Sequence, residues 1–520
     1  MITMNDDSRT KNTIRNTLFG VGGQVLSQLL AFVYRTVFIH YLSSNFLGAQ
    51  GLFSNILSLL SLAELGIGNA LTFSMYKPLA QKDTRKVQAL MNYYAKAYRL
   101  IAGVVALVGV ALTPFLYYLI KEVPAEINHL RLIYLLYVFD SAASYCLIYK
   151  QSIIKADQKT YICTLYTNIF AIIRYVIQMA FLVLMNGRGE SSFICILLIQ
   201  VLFTFITNVF LSAKASRLYP YINGAKNERL HESERKEIND KVRAMMMHKI
   251  GSVVVNATDN LLISKFVGLV EVGLYSNYRL LINMVMGIVQ QFSQAIVPSI
   301  GNLVSLTSKE KTKEIYDKLD LLNFLVYGFC TVCFFTLFNP FIEIWIGKEY
   351  LFSMWLVCVI VLNFYLNGMR QNVLAFRNAL GLFWNDRYKP IIESVINLLV
   401  SIILAKKYGI IGVFIGTSIS TITTSLWIEP YILFKNYFKE GFAKYCFKYM
   451  TQFLVIIFQC FILDRIKNLI FKGTVLSFVL LMIVCILFSV IVFVGIYWHT
   501  SEFKFLLGNV KRIIKRKNNT

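Results

Sequence analysis

Six ionisable side chains stand where the sequence is otherwise apolar: Arg35, Glu64, Asp140, Arg174, Asp259 and Arg279. A charge inside hydrocarbon is costly, so it marks an internal partner, a wet cavity or a transport path. Guanidinium groups bind phosphate through paired, charge-assisted hydrogen bonds, which suits Arg35 and Arg279 to a diphosphate headgroup. The carboxylates Glu64, Asp140 and Asp259 suit gating, or coupling to H+ or Na+. Arg174 either joins these carboxylates in coupling or gating or, as the favoured expectation, neutralises Asp140. Asp259 falls opposite Arg35 in an internal repeat, so those two form either a coupled switch or a structural ion pair. Arg370 and Lys265, near the ends of apolar runs, are expected to snorkel to the interface.

The spacing of these charges belongs to helices. Asn16, Gly20, Gln24, Ser27, Ala31 and Arg35 recur at steps of three or four, as do Gln50, Ser54, Ser58, Ser61 and Glu64. Asn256, Asp259 and Asn260 share a third segment, and Arg279, Asn283, Gly287, Gln290 and Gln294 line a fourth. Four such stripes would line a cavity in which Arg279, Arg35, Asn283, Gln290, Gln24 and Ser54 contact the substrate. The competing explanation for the uncharged members is interhelical packing by small and polar residues.

The elements that must carry these stripes are membrane spans. The chain has 520 residues, a mean hydropathy of +0.58 and only 15% charged residues, where a soluble protein has about 25%. Runs such as "VLSFVLLMIVCILFSVIVFVGIYW" from Val475 reach the ~20 residues needed to cross a bilayer as a helix. About fourteen transmembrane helices are expected, the second of them over 46–76. The first apolar segment, studded with Gln and Arg and lacking a small-residue cleavage site, is expected to stay as a helix. Only nine of the 52 Lys and Arg fall on external loops, which places both termini in the cytoplasm. Loops meeting anionic headgroups account for the net charge of +24, so no nucleic acid is implied. Cys330 and Cys333 have CxxC spacing but no nearby His or carboxylate. They read as buried small residues, and no metal site is expected.

A hydrophilic connector separates two halves. Residues 1–213 form a six-helix bundle, 214–247 the connector, 248–434 a second six-helix bundle, and 435–520 two additional spans and a basic cytoplasmic tail. "GLFSN" at Gly51–Asn55 returns as "GLYSN" at Gly273–Asn277, each opening the second span of its half. An even number of spans lies between the copies, so the repeats are parallel. The expected fold is an all-α polytopic membrane protein, with two pseudo-symmetric six-helix bundles and two C-terminal helices around a central cavity.

Two stretches resemble a known family. "LSLAELGIGNALTFSMYKPLAQKDTRKVQALMNYYAKAYRLIA" from Leu59 and "NATDNLLISKFVGLVEVGLYSNYRLLINMV" from Asn256 are similar to the polysaccharide transporters, the Wzx-type O-antigen and capsule repeat-unit flippases of the MOP (MATE-like) superfamily. The resemblance implies a flippase in the bacterial cytoplasmic (inner) membrane. It would carry undecaprenyl-diphosphate-linked oligosaccharide from the cytoplasmic to the outer leaflet by alternating access, for surface polysaccharide assembly. The implied partners are the lipid-linked oligosaccharide, membrane lipids, and the polysaccharide polymerase and chain-length machinery. "YSNYRLLINMVMGIVQQFSQAIVPSIGNL" also resembles the eighth span of the lipid II flippases, where an Arg engages the diphosphate; the matching position is Arg279.

Three other functions compete. An ion-coupled multidrug or toxic-cation antiporter of the same superfamily should favour acidic cavity residues, whereas the charges here lean basic. A membrane enzyme such as a polymerase or ligase needs a large external loop, and every external loop is short. A scaffold leaves the intramembrane arginines unexplained. No "GxxxxGK[ST]" phosphate loop is present, so transport is not expected to hydrolyse ATP. No cofactor and no catalytic residue are expected beyond a coupling ion.

Overall fold

The computed structural model describes residues 6–508 apart from 62–63, 65–66, 188, 224–227, 381 and 383–384. Side chains are not described for 6–21, 24, 69–71, 241, 243–256, 290–299 and 301–306. The described residues form helices and no strand.

The N-terminal compact unit, Met1–Met284, contains α1 (Asp6–Tyr41), α2 (Ser44–Leu60), α3 (Ile67–Ala80), α4 (Thr84–Leu112), α5 (Leu116–Leu119), α6 (Leu130–Ile148), α7 (Gln151–Ala156), α8 (Thr160–Leu184), α9 (Glu190–Leu218) and α10 (Glu232–Phe266). It also holds the first turns of α11 (Leu269–Leu306). The C-terminal unit, Val285–Thr520, takes the rest of α11 with α12 (Lys309–Ile346), α13 (Met354–Ala379), α14 (Lys389–Tyr408), α15 (Ile410–Thr423), α16 (Ser425–Leu433), α17 (Phe442–Ile470) and α18 (Val475–Tyr497). Among the described residues, eight helical segments are long and apolar enough to cross a membrane, and Val25–Tyr41 is a shorter apolar helix. The molecule is a multi-pass membrane protein.

The helices that carry the two glycine phrases cross inside the N-terminal unit. A Cβ on Gly48 would lie 1.9 Å from the carbonyl oxygen of Leu269, and one on Gly273 would lie 2.2 Å from that of Ser44. Both are far below van der Waals contact, so α2 and the start of α11 cross backbone to backbone. Gly51 faces Val272 in the same crossing. Small residues permit this approach, as in other membrane helix pairs.

The expected single span over 46–76 is two helices. α2 stops at Leu60 and α3 starts at Ile67. Between them the amide of Glu64 donates to Ser61 O at 2.9 Å and that of Ile67 to Glu64 O at 2.9 Å, three-residue turns in place of the helical ladder. Gly66 and Gly68 weaken helix propagation here. A second break falls at Thr424, between α15 and α16. Its exposed carbonyls are met locally, with Trp427 Nε1 donating to Thr423 O at 2.9 Å.

The connector is held to the N-terminal unit by polar contacts along α4. Lys86 pairs with Glu234 at 2.5 Å, Asn92 donates to Glu228 O at 3.1 Å, and Tyr93 donates to Asn239 at 2.5 Å. α10 therefore runs without interruption from the connector into the apolar segment that carries Asp259. In the C-terminal unit, Cys333 Sγ lies 4.0 Å from Cys485 Sγ on α18, so it packs between helices.

Candidate functional site

Of the charges on these stripes in the N-terminal unit, Arg35 has a direct link to the second glycine phrase. Its guanidinium donates from Nη1 to Ser276 Oγ at 3.0 Å, and Ser276 in turn donates to Gly273 O at 2.7 Å. The serine belongs to the second glycine phrase, so the crossing of α2 and α11 positions the acceptor that orients Arg35. Arg279 lies three residues beyond Ser276, which puts the two on one face of α11, about 5–6 Å apart at Cβ. Tyr275 lies within electrostatic reach of both Arg279 and Asp259.

Aromatic rings surround the arginines. Tyr34 and Tyr175 pack with ring centroids 5.2 Å apart. The Arg174 guanidinium lies 4.8 Å over the Tyr175 ring. Tyr34, Tyr137 and Tyr175 all lie within electrostatic reach of Arg35. The result is a basic, aromatic cluster contributed by α1, α6, α8 and α11.

Asp140 and Arg174 behave differently from the expectation that they neutralise each other. Asp140 Oδ2 accepts from Gln200 Nε2 on α9 at 3.1 Å, and Arg174 is taken up by the tyrosine ring. The Arg174 cation thereby adds to the positive character of the cluster. Glu64 lies apart from it, in the break between α2 and α3, and accepts from the buried hydroxyls of Tyr98 on α4 and Tyr145 on α6. Ser54 on α2 and Asn283 on α11 are exposed. Gln24 and Gln290 fall on α1 and α11, outside the residues whose side chains are described.

A second ionic cluster, which no single sequence stripe contains, lies in the C-terminal unit. Arg370 on α13 grips Glu429 on α16 with two hydrogen bonds, Nε to Oε2 at 2.9 Å and Nη2 to Oε1 at 2.7 Å. Lys389 on α14 donates to the same carboxylate and to Ser425 Oγ at 2.9 Å. Ser425 donates in turn to Glu393 Oε2 at 2.6 Å, and Arg377 pairs with Asp386. Three cations thus meet three carboxylates, and Glu429 is 0% exposed. Arg370 is consequently an anchored residue, correcting the expectation that it snorkels. Asp386 lies on the loop before α14; burial raises its carboxyl above the usual range, against the pull of Arg377. The signal for this cluster was Glu429 itself, an ionisable residue inside the apolar run "SLWIEPYILF".

Solved structures of similar fold include a flippase and transporters. The chain is similar in fold to the lipid II flippase MurJ in an inward closed conformation (TM-score 0.64, 16% identity, covering 92% of this chain and 98% of that one). It is similar to an inward-facing multidrug resistance MATE family transporter of the MOP superfamily (TM-score 0.59, 13% identity, 78% and 95% covered). A point mutant of the Vibrio cholerae MATE transporter VcmN also matches (TM-score 0.54, 16% identity, 84% and 98% covered). Identities this low speak for the fold alone. No curated protein matches the sequence. The model of one family, described as polysaccharide biosynthesis protein, matches residues 13–304. That match takes in both glycine phrases, Arg35 and Arg279: the chain belongs to the polysaccharide biosynthesis protein family, with the fold of the MOP-superfamily transporters.

Proposed function

We propose that the protein is a flippase for undecaprenyl-diphosphate-linked oligosaccharide repeat units, moving them from the cytoplasmic to the outer leaflet of the bacterial inner membrane. The observation that carries this reading is the pairing of Arg35 with Ser276, one turn from Arg279 on α11. A guanidinium has five N–H donors, and the serine hydroxyl occupies one of Arg35's. The others suit phosphate oxygens, and Arg279 supplies a second planar fork. Arg174 raises the local positive potential, and Ser54 and Asn283 extend the polar path for the sugar.

Transport proceeds by alternating access between two six-helix bundles, with both termini cytoplasmic and no catalytic step. Asp259 and Glu64 are the carboxylates placed to couple it to H+ or Na+. Asp259 shares with Arg279 the electrostatic surroundings of Tyr275, and Glu64 sits in a helix break held by two tyrosines. Asp140 supports this arrangement through Gln200. A multidrug antiporter of the same fold would need an acidic site for its cations, and this cluster is basic.

Substituting the arginines tests the reading. A charge-assisted hydrogen-bond pair contributes about 1.5–3 kcal/mol, so Arg279→Ala and Arg35→Ala should each lower transport about 10- to 100-fold at unchanged protein level. Lys replacements should restore only part, because they lose the fork. Normal surface polysaccharide from either Ala variant contradicts the proposal.

A further inference from the structure

At one end of the C-terminal unit, the start of α12, the segment after α16, the start of α17 and the stretch after α18 enclose a cavity of about 800 Å³. Four lysines face five carboxylates around it. Two pairs are closed within the wall. Lys448 meets Asp320 at 2.7 Å, and Asp320 is only 2% exposed. Lys313 holds Asp317 at 2.5 Å, and its ammonium lies 5.4–5.6 Å from the ring centroids of Tyr316, Phe434 and Phe438. The wall thus already stabilises an ammonium by a carboxylate and aromatic faces together.

The charges left over are Lys309 and Lys444, with Glu310, Glu440 and Glu502. Among the described residues these five form no ion pair within 4.0 Å. Glu502 accepts from Ser501 at 3.1 Å, Glu310 is hydrogen-bonded to Ser308, and Lys309 lies 5.8 Å from the Tyr437 ring centroid. None of these contacts neutralises a charge, so both signs are open to an external partner. An anionic headgroup would satisfy the two lysines and be repelled by three carboxylates. A simple amine would do the reverse. A ligand carrying a phosphate and an ammonium a few bonds apart answers both.

We propose that this cavity binds the headgroup of a zwitterionic phospholipid bearing a primary ammonium. Its position supports a lipid source. α12 and α17 begin here and α18 ends here, so the cavity lies at one end of three candidate membrane spans. Phe447, Met450 and Trp498, within two residues of wall residues in sequence, are 73%, 57% and 52% exposed and suit contact with acyl chains and the interface. The site is separate from the arginine cluster and stands whatever that cluster transports.

Full-length protein in nanodiscs of equal phosphatidylethanolamine and phosphatidylglycerol, with retained lipid counted by native mass spectrometry, tests the proposal. The wild type retains ethanolamine lipid above its share of the bilayer. Lys309→Ala/Lys444→Ala loses that excess, and Glu440→Lys/Glu502→Lys turns the preference toward the glycerol lipid. Lys309, Glu440 and Lys444 are exposed, so these variants keep the fold, with unchanged thermal unfolding as the check. Equal retention of the two lipids by the wild type, a wild-type preference for phosphatidylglycerol, or an excess unaffected in both variants overturns the proposal.

Discussion

Replacing Glu429 by Ala removes the carboxylate shared by Arg370 and Lys389 and leaves three cations, Arg370, Arg377 and Lys389, facing only Glu393 and Asp386. Side-chain exposures of 14% for Arg370 and 6% for Lys389 mean that water replaces little of what is lost. Breaking a buried pair of this kind costs about 3–5 kcal/mol. At about 2–4 °C per kcal/mol for a unit of this size, unfolding of the C-terminal unit should fall by about 6–20 °C. The double variant Arg370→Leu/Glu429→Leu leaves two cations with two carboxylates and should recover most of that loss, because a balanced network tolerates apolar replacement of a whole pair. Thermal unfolding in detergent, followed by a thiol-reactive dye on chains that keep only the buried Cys163 of one unit or only the buried Cys485 of the other, reads the effect unit by unit. A Glu429→Ala protein that unfolds within about 2 °C of the wild type, or a double variant no better than the single, would refute the view that charge balance holds α13, α14 and α16 together.

Other consequences follow from the same geometry. Gly48→Ala and Gly273→Ala place a methyl group into opposing backbone at 1.9 and 2.2 Å, and each should cost about 1–3 kcal/mol and lower the yield of monodisperse protein; unchanged yields would contradict the close crossing. The Lys86 hydrogen bond holds Glu234 below its ordinary pKa of 4.5. Its contribution is therefore present above pH 4.5 and lost as the pH falls through the lowered value. The slower amide exchange of the connector in the wild type, relative to Lys86→Met, should vanish on acidification; a difference that persists would contradict the clasp. Asp259→Asn should change the pH or ion dependence of transport if that carboxylate couples, and a dependence identical to the wild type would remove it from the coupling path.

The sequence made the membrane architecture legible because apolar runs need no partner to be recognised. The glycine phrases were equally plain, although the close crossing of the helices that carry them was not, since a repeat records duplication and says nothing of contact. The break in α2 was hidden by its own periodicity: Glu64 follows Ser61 at a helical step, so the stripe looks continuous where the backbone leaves the helix. The Glu429 cluster escaped because Arg370 and Glu429 are 59 residues apart and Arg370, taken singly, looks like an interfacial residue. Asp140 and Arg174 were paired on charge alone, whereas Gln200 and the Tyr175 ring compete successfully for them. Sign and depth of a charge can be read from one dimension; the choice of partner depends on which helices pack together.

The most direct test of the account is leaflet exchange by the purified protein. Proteoliposomes loaded with undecaprenyl-diphosphate-linked oligosaccharide should expose it to an external lectin or enzyme only when the wild-type chain is present. Arg35→Ala and Arg279→Ala should slow that exposure about 10- to 100-fold while leaving protein incorporation unchanged. Exposure at the protein-free rate with the wild type, or at the wild-type rate with both arginine variants, would contradict the assignment of the arginine cluster as a diphosphate site.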